Sequence, residues 1–160
     1  MLCQVLIGIA CLYILSLTGT TPYHRLPDAH GHTSVIYLLS SYANVSTPVI
    51  VKSIHPHFAP SLFDTEKKVY ERFSADQNAL PQGILGFYGV HEVIPSGLVL
   101  EFAERGNLME WLWNAQTPPS EEMLFKWVVQ AAEALGFAHS KGIFHSDIHL
   151  LNFFLTEAMD

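Results

Sequence analysis

The stretch Lys141-Gly142-Ile143-Phe144-His145-Ser146-Asp147-Ile148-His149-Leu150-Leu151-Asn152-Phe153-Phe154-Leu155 alternates polar, chemistry-bearing side chains with bulky apolar ones. Ile143, Phe144, Ile148, Leu151 and Phe153-Phe154-Leu155 can anchor this segment to a core, which leaves His145, Asp147 and Asn152 in a loop pinned from both sides. An Asp held this way can take a proton from an alcohol or orient it for in-line attack. An Asn five residues later can ligate a divalent cation through its amide oxygen. These are parts that phosphoryl transfer needs.

Upstream of the loop, Glu121 to His139 reads as the clearest helix. Leu124, Val128, Ala131, Leu135 and Ala138 recur at steps of four and three and form one apolar stripe. Ser120 suits the N-cap, and Glu121 and Glu122 suit the positive end of the helix dipole. Pro118-Pro119 before it and Gly142 after it mark its start and stop. Further back, β-branched and aromatic runs predict strands over Ser34 to Leu39, Val49 to Ile54, Ile84 to Val93 and Gly97 to Phe102, the last two around a turn at Pro95-Ser96-Gly97. Asp64 to Phe73 predicts a helix with Asp64 as its cap, and Leu108 to Trp113 a short one. Thr21 to His32, rich in Pro, His and Gly, predicts a loop. Trp111, Trp113 and Trp127 are expected to pack between helices. There is no βαβ alternation and no internal repeat.

Lys52 stands inside a β-branched strand. Strand alternation puts it on the face of Ile50 and Ile54, opposite Val51 and Ser53. An ammonium over an apolar face is costly unless paired. Either it reaches solvent at a strand edge, or a carboxylate on the next helix meets it. Glu66, one turn before Val69 and Tyr70, faces inward and is the leading partner. Gly31-His32-Thr33-Ser34, a glycine turn followed by hydroxyl residues and a strand, can lay backbone N–H groups over phosphates. A lone glycine there is also an ordinary turn.

The spacing H-x-D-x-x-x-x-N of His145, Asp147 and Asn152 resembles the catalytic loop of the protein-kinase superfamily. Val49-Ile50-Val51-Lys52 resembles its nucleotide-anchoring strand, and Asp64 to Tyr70 its mobile helix. Leu98-Val99-Leu100-Glu101-Phe102-Ala103 resembles its adenine-binding hinge, and Gly106-Asn107-Leu108 the start of the helix that follows. The wording from Phe144 to His149 is especially close to kinase-like proteins of filamentous fungi. The resemblance runs from Gly31 to Asp160. It implies an α+β fold: a protein-kinase-like N-lobe, a twisted antiparallel sheet plus one helix, at about residues 29–102, then a truncated helical C-lobe at 103–160.

The resemblance also implies roles. Lys52 would hold the ATP phosphates and Glu66 would hold Lys52. Gly31, Ser34 and Ile50 would contribute to the nucleotide site. Glu101 and Ala103 would offer backbone groups to adenine behind a Leu100 gatekeeper. Asp147 would be the base or orienter, Asn152 a Mg2+ ligand, and His145 structural. The implied activity is ATP-dependent phosphorylation of a protein hydroxyl, Ser or Thr ahead of Tyr, in the cytoplasm.

Several positions depart from the pattern. The glycine-rich loop keeps Gly31, with Ala29 and Ser34 at the other two glycine positions. Ser146 replaces the usual Arg before the catalytic Asp. His149 replaces the usual Lys after it; it could donate to the γ-phosphate, although a histidine is only partly charged near pH 7. The D-F-G aspartate that binds magnesium follows the catalytic Asp by about 18 residues in the family pattern, and the chain ends at Asp160. A chain ending there is expected to bind nucleotide weakly and transfer phosphate negligibly. Its Glu121 to His139 stripe is expected to stay exposed for a partner.

Composition frames these readings. Of 160 residues, 49% are hydrophobic and 14% charged, the balance of a chain that buries a core. A net charge of -7 with no basic run argues against nucleic acid as a partner. The two cysteines, Cys3 and Cys11, exclude a disulfide scaffold. Residues 1–20 form an apolar segment apart from the kinase-like region 21–160. Leu2 to Leu17 reads as a signal peptide, a membrane anchor or a buried segment. The first two readings allow membrane contact through residues 2–19 and a membrane-associated or secretory location. Asn44-Val45-Ser46 matches a glycosylation sequon. Three further functional readings stand beside the kinase: a catalytically inactive nucleotide-binding or scaffold module, a metal site at His145-x-Asp147-x-His149, and a membrane-tethered fragment whose N-terminal segment is the working part.

Overall fold

The computed structural model describes residues 23–30, 34–75, 80–93 and 96–159. The apolar segment 1–20, Cys3, Cys11 and Gly31 lie outside the described residues. Five strands form one antiparallel sheet: β1 (Tyr23–His30), β2 (Ser34–Leu39), β3 (Val49–Ile54), β4 (Phe87–His91) and β5 (Gly97–Glu101), in the order β1-β2-β3-β5-β4. The helix α1 (Pro60–Ser74) lies between β3 and β4 in sequence. Then come α2 (Leu108–Asn114), α3 (Glu121–Ser140) and a 3-10 turn at Leu150–Asn152. This is the expected α+β order of a sheet with one helix followed by helices.

Alternation along the central strands covers both faces of the sheet. Ile36, Ile50, Leu98 and Leu100 turn toward α1 and share a cluster with its Val69, Tyr70 and Phe73. Val49, Val51 and Val99 face the other way and are covered by Leu39, Tyr23 and Tyr37. Ala138 and Ile143 belong to the first cluster as well. Phe73 of α1 meets Phe137 of α3 with ring centroids 5.5 Å apart, so one core joins the sheet to the second helical region.

Several elements differ from expectation, each for a physical reason. The predicted loop Thr21 to His32 contains β1, which pairs Tyr23 with Leu39 and Arg25 with Tyr37 before its register shifts. Pro27 lacks an N–H and is tolerated because β1 is an edge strand with an irregular ladder; Leu26 is buried and holds it down. Helix α1 begins at Pro60, with Ala59 as its N-cap. Proline is preorganised for the first helical position, so Asp64 lies inside the helix and is not its cap. The predicted strand from Ile84 shortens to β4 because Gly83 turns the chain against α3, where an added Cβ would stand 2.7 Å from the Gln130 carbonyl oxygen.

Helix α3 has the expected cap, with Ser120 Oγ accepting from the Met123 N–H at 3.2 Å. Its buried line is Trp127, Ala134 and Ala138; from the predicted stripe, Leu124 is 44% and Val128 66% exposed. Trp127 packs edge-to-face on Trp111 at 5.6 Å and donates its indole N–H to the Met159 carbonyl. Trp113 is 86% exposed and packs between no helices. Among the described residues no helix is long and apolar enough to cross a membrane.

A Cβ on Gly97 would stand 2.4 Å from the Lys52 carbonyl oxygen and 2.9 Å from Val51 Cγ1, whereas one on Gly136 would meet nothing within 4 Å. Gly97→Ala should therefore cost roughly 1–3 kcal/mol of stability as an overpacked site. Gly136→Ala, on the open side of a helix, should add about 1 kcal/mol. Urea unfolding midpoints of the two variants check the opposite signs.

Candidate active site

Register brings Lys52 to the middle of the sheet, opposite Ile36 on β2 and Leu98 on β5. Its ammonium Nζ meets Glu66 Oε1 on α1 at 2.6 Å, with the side chains only 4% and 14% exposed. Pro60 at the helix start and the buried Val69, Tyr70 and Phe73 fix the roll of α1, and that roll turns Glu66 inward. The predicted Lys–Glu pair is present. Tyr70 lies on the same helix, and its phenol is pushed well above the usual tyrosine range by burial and then by the Glu66 carboxylate.

The loop after α3 is held at both ends. Gly142, with a φ of 70°, reverses the chain, and the Ile143 N–H returns to the Ala138 carbonyl at 2.9 Å. At the far end Phe153 and Leu155 bond to Leu108 and Gly106, which seats the loop on the start of α2. Between these clamps His145 and Asn152 are buried, while Asp147 is 37% exposed. Asn152 Nδ2 donates to the Asp147 backbone carbonyl at 2.8 Å and to Asp147 Oδ2 at 3.0 Å. Both partners are acceptors, so the amide orientation is chemically fixed and Oδ1 is the atom that Asn152 has left to offer a cation. The Asp147 N–H points to His145 Nδ1 at 3.3 Å. Burial holds the His145 ring below the usual histidine pKa, and His149 lowers it further, against an opposing pull from Asp147. Ser146, in place of the usual Arg, takes a left-handed φ of 53°.

At the end of β5, Leu100 is fully buried, as a gatekeeper would be. The Glu101 N–H donates to the Gly86 carbonyl at 2.8 Å, and Glu101 Oε2 accepts the Gly86 N–H at 2.9 Å. The Glu101 side chain is thus spent on the segment before β4, which sequence reasoning missed. The Ala103 carbonyl accepts from Gly106 at 3.1 Å, and its N–H has no partner among the described residues. Ser34 is buried opposite Ile54, and Ile50 is buried in the core on the Lys52 face. An apolar hollow of about 330 Å³ lies between α1 and α3, with His145 and Asn152 in its lining. Lys52, Glu66 and Asp147 are not part of its wall.

The His145-x-Asp147-x-His149 metal reading does not assemble. His145 Nδ1 already accepts the Asp147 N–H, and among the described residues no group of three or more His, Cys, Asp or Glu can hold a metal ion. A hard cation bridging phosphates needs only one or two protein oxygens. Asn152 Oδ1 fits that demand.

Comparison with known proteins identifies the class. The model of the protein tyrosine and serine/threonine kinase family matches residues 29–159, and the chain belongs to that family. It is similar to the Aurora kinase of Schizosaccharomyces pombe, 37% identical over 91 residues covering 56% of this chain and 25% of that protein. It is also similar to human testis-specific serine/threonine-protein kinase 4, 27% identical over 150 residues covering 86% and 44% of the two chains. A probable inactive serine/threonine-protein kinase of Dictyostelium discoideum is 33% identical over 76 residues, 47% of this chain and 6% of that protein. The chain thus spans less than half the length of these three relatives. Kinases of this family in general use ATP and a divalent metal.

Glu66→Gln leaves the buried Lys52 charge without its carboxylate. Breaking such a pair costs about 3–5 kcal/mol, while the apolar double change Lys52→Met/Glu66→Leu should recover most of the loss; chemical denaturation compares the two. His145 gives a second test. Its folded pKa lies below the unfolded value of 6.5, so the unfolded chain binds more protons between the two values. Stability should be full above 6.5, fall as pH drops toward the folded value, and level off below it. His145→Asn should flatten that slope in melts recorded across the acid range.

Proposed function

We propose that this chain provides the ATP-gripping and catalytic-loop part of a protein kinase that phosphorylates Ser or Thr hydroxyls. The observation that carries this reading is the Lys52–Glu66 contact at 2.6 Å in a buried setting. An apolar pair would satisfy the core at less desolvation cost, so a buried ammonium held in place is suited to gripping phosphates. The names of the human and Dictyostelium relatives support serine/threonine specificity.

In this reading Lys52 binds the α- and β-phosphates, and Glu66 holds Lys52. Leu100 backs the adenine, the Glu101 carbonyl and Ala103 N–H meet its edge, and Gly31 and Ser34 cover the phosphates beside Ile50. The acceptor hydroxyl oxygen attacks the γ-phosphorus in line. The bond from that phosphorus to the bridging oxygen breaks, ADP leaves with the electron pair, and the hydroxyl proton passes to Asp147. A Mg2+ ion held by Asn152 Oδ1 would neutralise charge on the phosphate oxygens. Asp147 is suited to its task because its side chain reaches solvent while its backbone is tied down.

A second reading, nucleotide binding without transfer, is favoured by Ser146 in the usual Arg position and by the relative named as probably inactive. Thermal melts with Mg2+-ATP and transfer from γ-labelled ATP to a generic protein substrate separate the two. The first reading predicts a raised Tm, lost in Lys52→Met, and label transfer lost in Asp147→Asn. A raised Tm without transfer selects the second reading. No shift in Tm and no transfer overturns both.

A further inference from the structure

The hydrogens of one amide decide how His149 is used. Asn152 Nδ2 stands 2.8 Å from the Asp147 carbonyl, 3.0 Å from Asp147 Oδ2 and 3.1 Å from His149 Nε2. An amide NH2 carries two hydrogens for these three neighbours. The two oxygens are the nearer neighbours, and a bond to an ionised carboxylate is the stronger kind. With both hydrogens given to these two oxygens of Asp147, none is left for the ring. The same Nε2 lies 3.3 Å from Asp147 Oδ1. An ionised carboxylate oxygen only accepts, so a bare Nε2 there would set lone pair against lone pair.

We propose that His149 carries its ring hydrogen on Nε2 and donates it to Asp147 Oδ1. It is then a positioning residue that fixes one carboxylate oxygen while Asn152 fixes the other. The assignment needs only the neutral tautomer. It also gives the histidine at this position a task of its own: a lysine there offers a mobile point charge, whereas a ring presents a donor in one fixed direction. With both oxygens oriented, the remaining lone pairs of Asp147 point along set directions toward solvent, where an acceptor hydroxyl would arrive. The consequence for transfer rests on the kinase reading; the contact itself does not.

Two measurements on the full chain test this separately. The first is a long-range proton–nitrogen spectrum of the 15N-labelled protein at about pH 9, where histidine rings are neutral, with His149 assigned by the resonance lost in His149→Gln. An Nε2–H pattern is expected, and an Nδ1–H pattern with Nε2 as acceptor overturns the proposal. The second is steady-state transfer. His149→Ala should lower kcat by about tenfold with KM for ATP within about twofold, and His149→Gln, whose amide N–H reaches the same oxygen, should restore most of it. Equal losses in the two variants overturn the positioning role. A wild-type chain that transfers no phosphate defeats the kinase reading instead, and the spectrum still decides the contact.

Discussion

The structure depends on one buried ion pair. Lys52 lies in the middle strand of the sheet, and the Glu66 carboxylate at 2.6 Å makes that position tolerable for an ammonium. This sets the depth and roll of α1, because Glu66 reaches the strand only when Val69, Tyr70 and Phe73 are turned into the core. It also constrains the neighbouring strand. Gly97 must lack a side chain for β5 to come this close to the Lys52 backbone. A charge that is expensive in isolation thus becomes an organising contact shared by three elements.

The second half of the site is built differently. The sheet positions Lys52 through a ladder of backbone bonds; the loop positions Asp147 through its own side chains and two clamped ends. Asn152 and the Asp147 N–H to His145 contact hold it from within, while α3 and the start of α2 hold it from outside. His145 is buried and kept toward the neutral form, so it serves the loop as an acceptor. The two histidines beside Asp147 are therefore unlike each other: one ring is buried, the other half-exposed against the carboxylate.

Much of this was legible from local sequence. The Lys in a β-branched strand and the inward-facing Glu of the next helix have a direct physical reading, and the structure pairs them; of the apolar residues read as anchors after α3, Ile143 and Leu155 are buried while Phe144 and Ile148 stay exposed. What local sequence hid was tertiary. Strand β1 disguises itself with Pro27 and histidines because an edge strand can give up a ladder bond. The α3 buried line shares Ala138 with the predicted stripe but runs through Trp127 and Ala134 in place of Val128 and Leu135, with Trp127 held by its bond to the Met159 carbonyl. The Glu101 side chain was invisible as a structural group, since its partner is a backbone N–H fifteen residues earlier.

The meeting of Phe73 with Phe137 has a mechanical meaning. Helix α1 carries Glu66 at one point and this aromatic contact about two turns further along, while Phe137 rides on the last turn of α3, directly before the loop that holds Asp147. A tilt of α1 that pulled Glu66 from Lys52 would drag or break that tilted ring contact. The grip on the strand and the pose of the loop are geared through a single bearing, and neither can slip far without the other being felt.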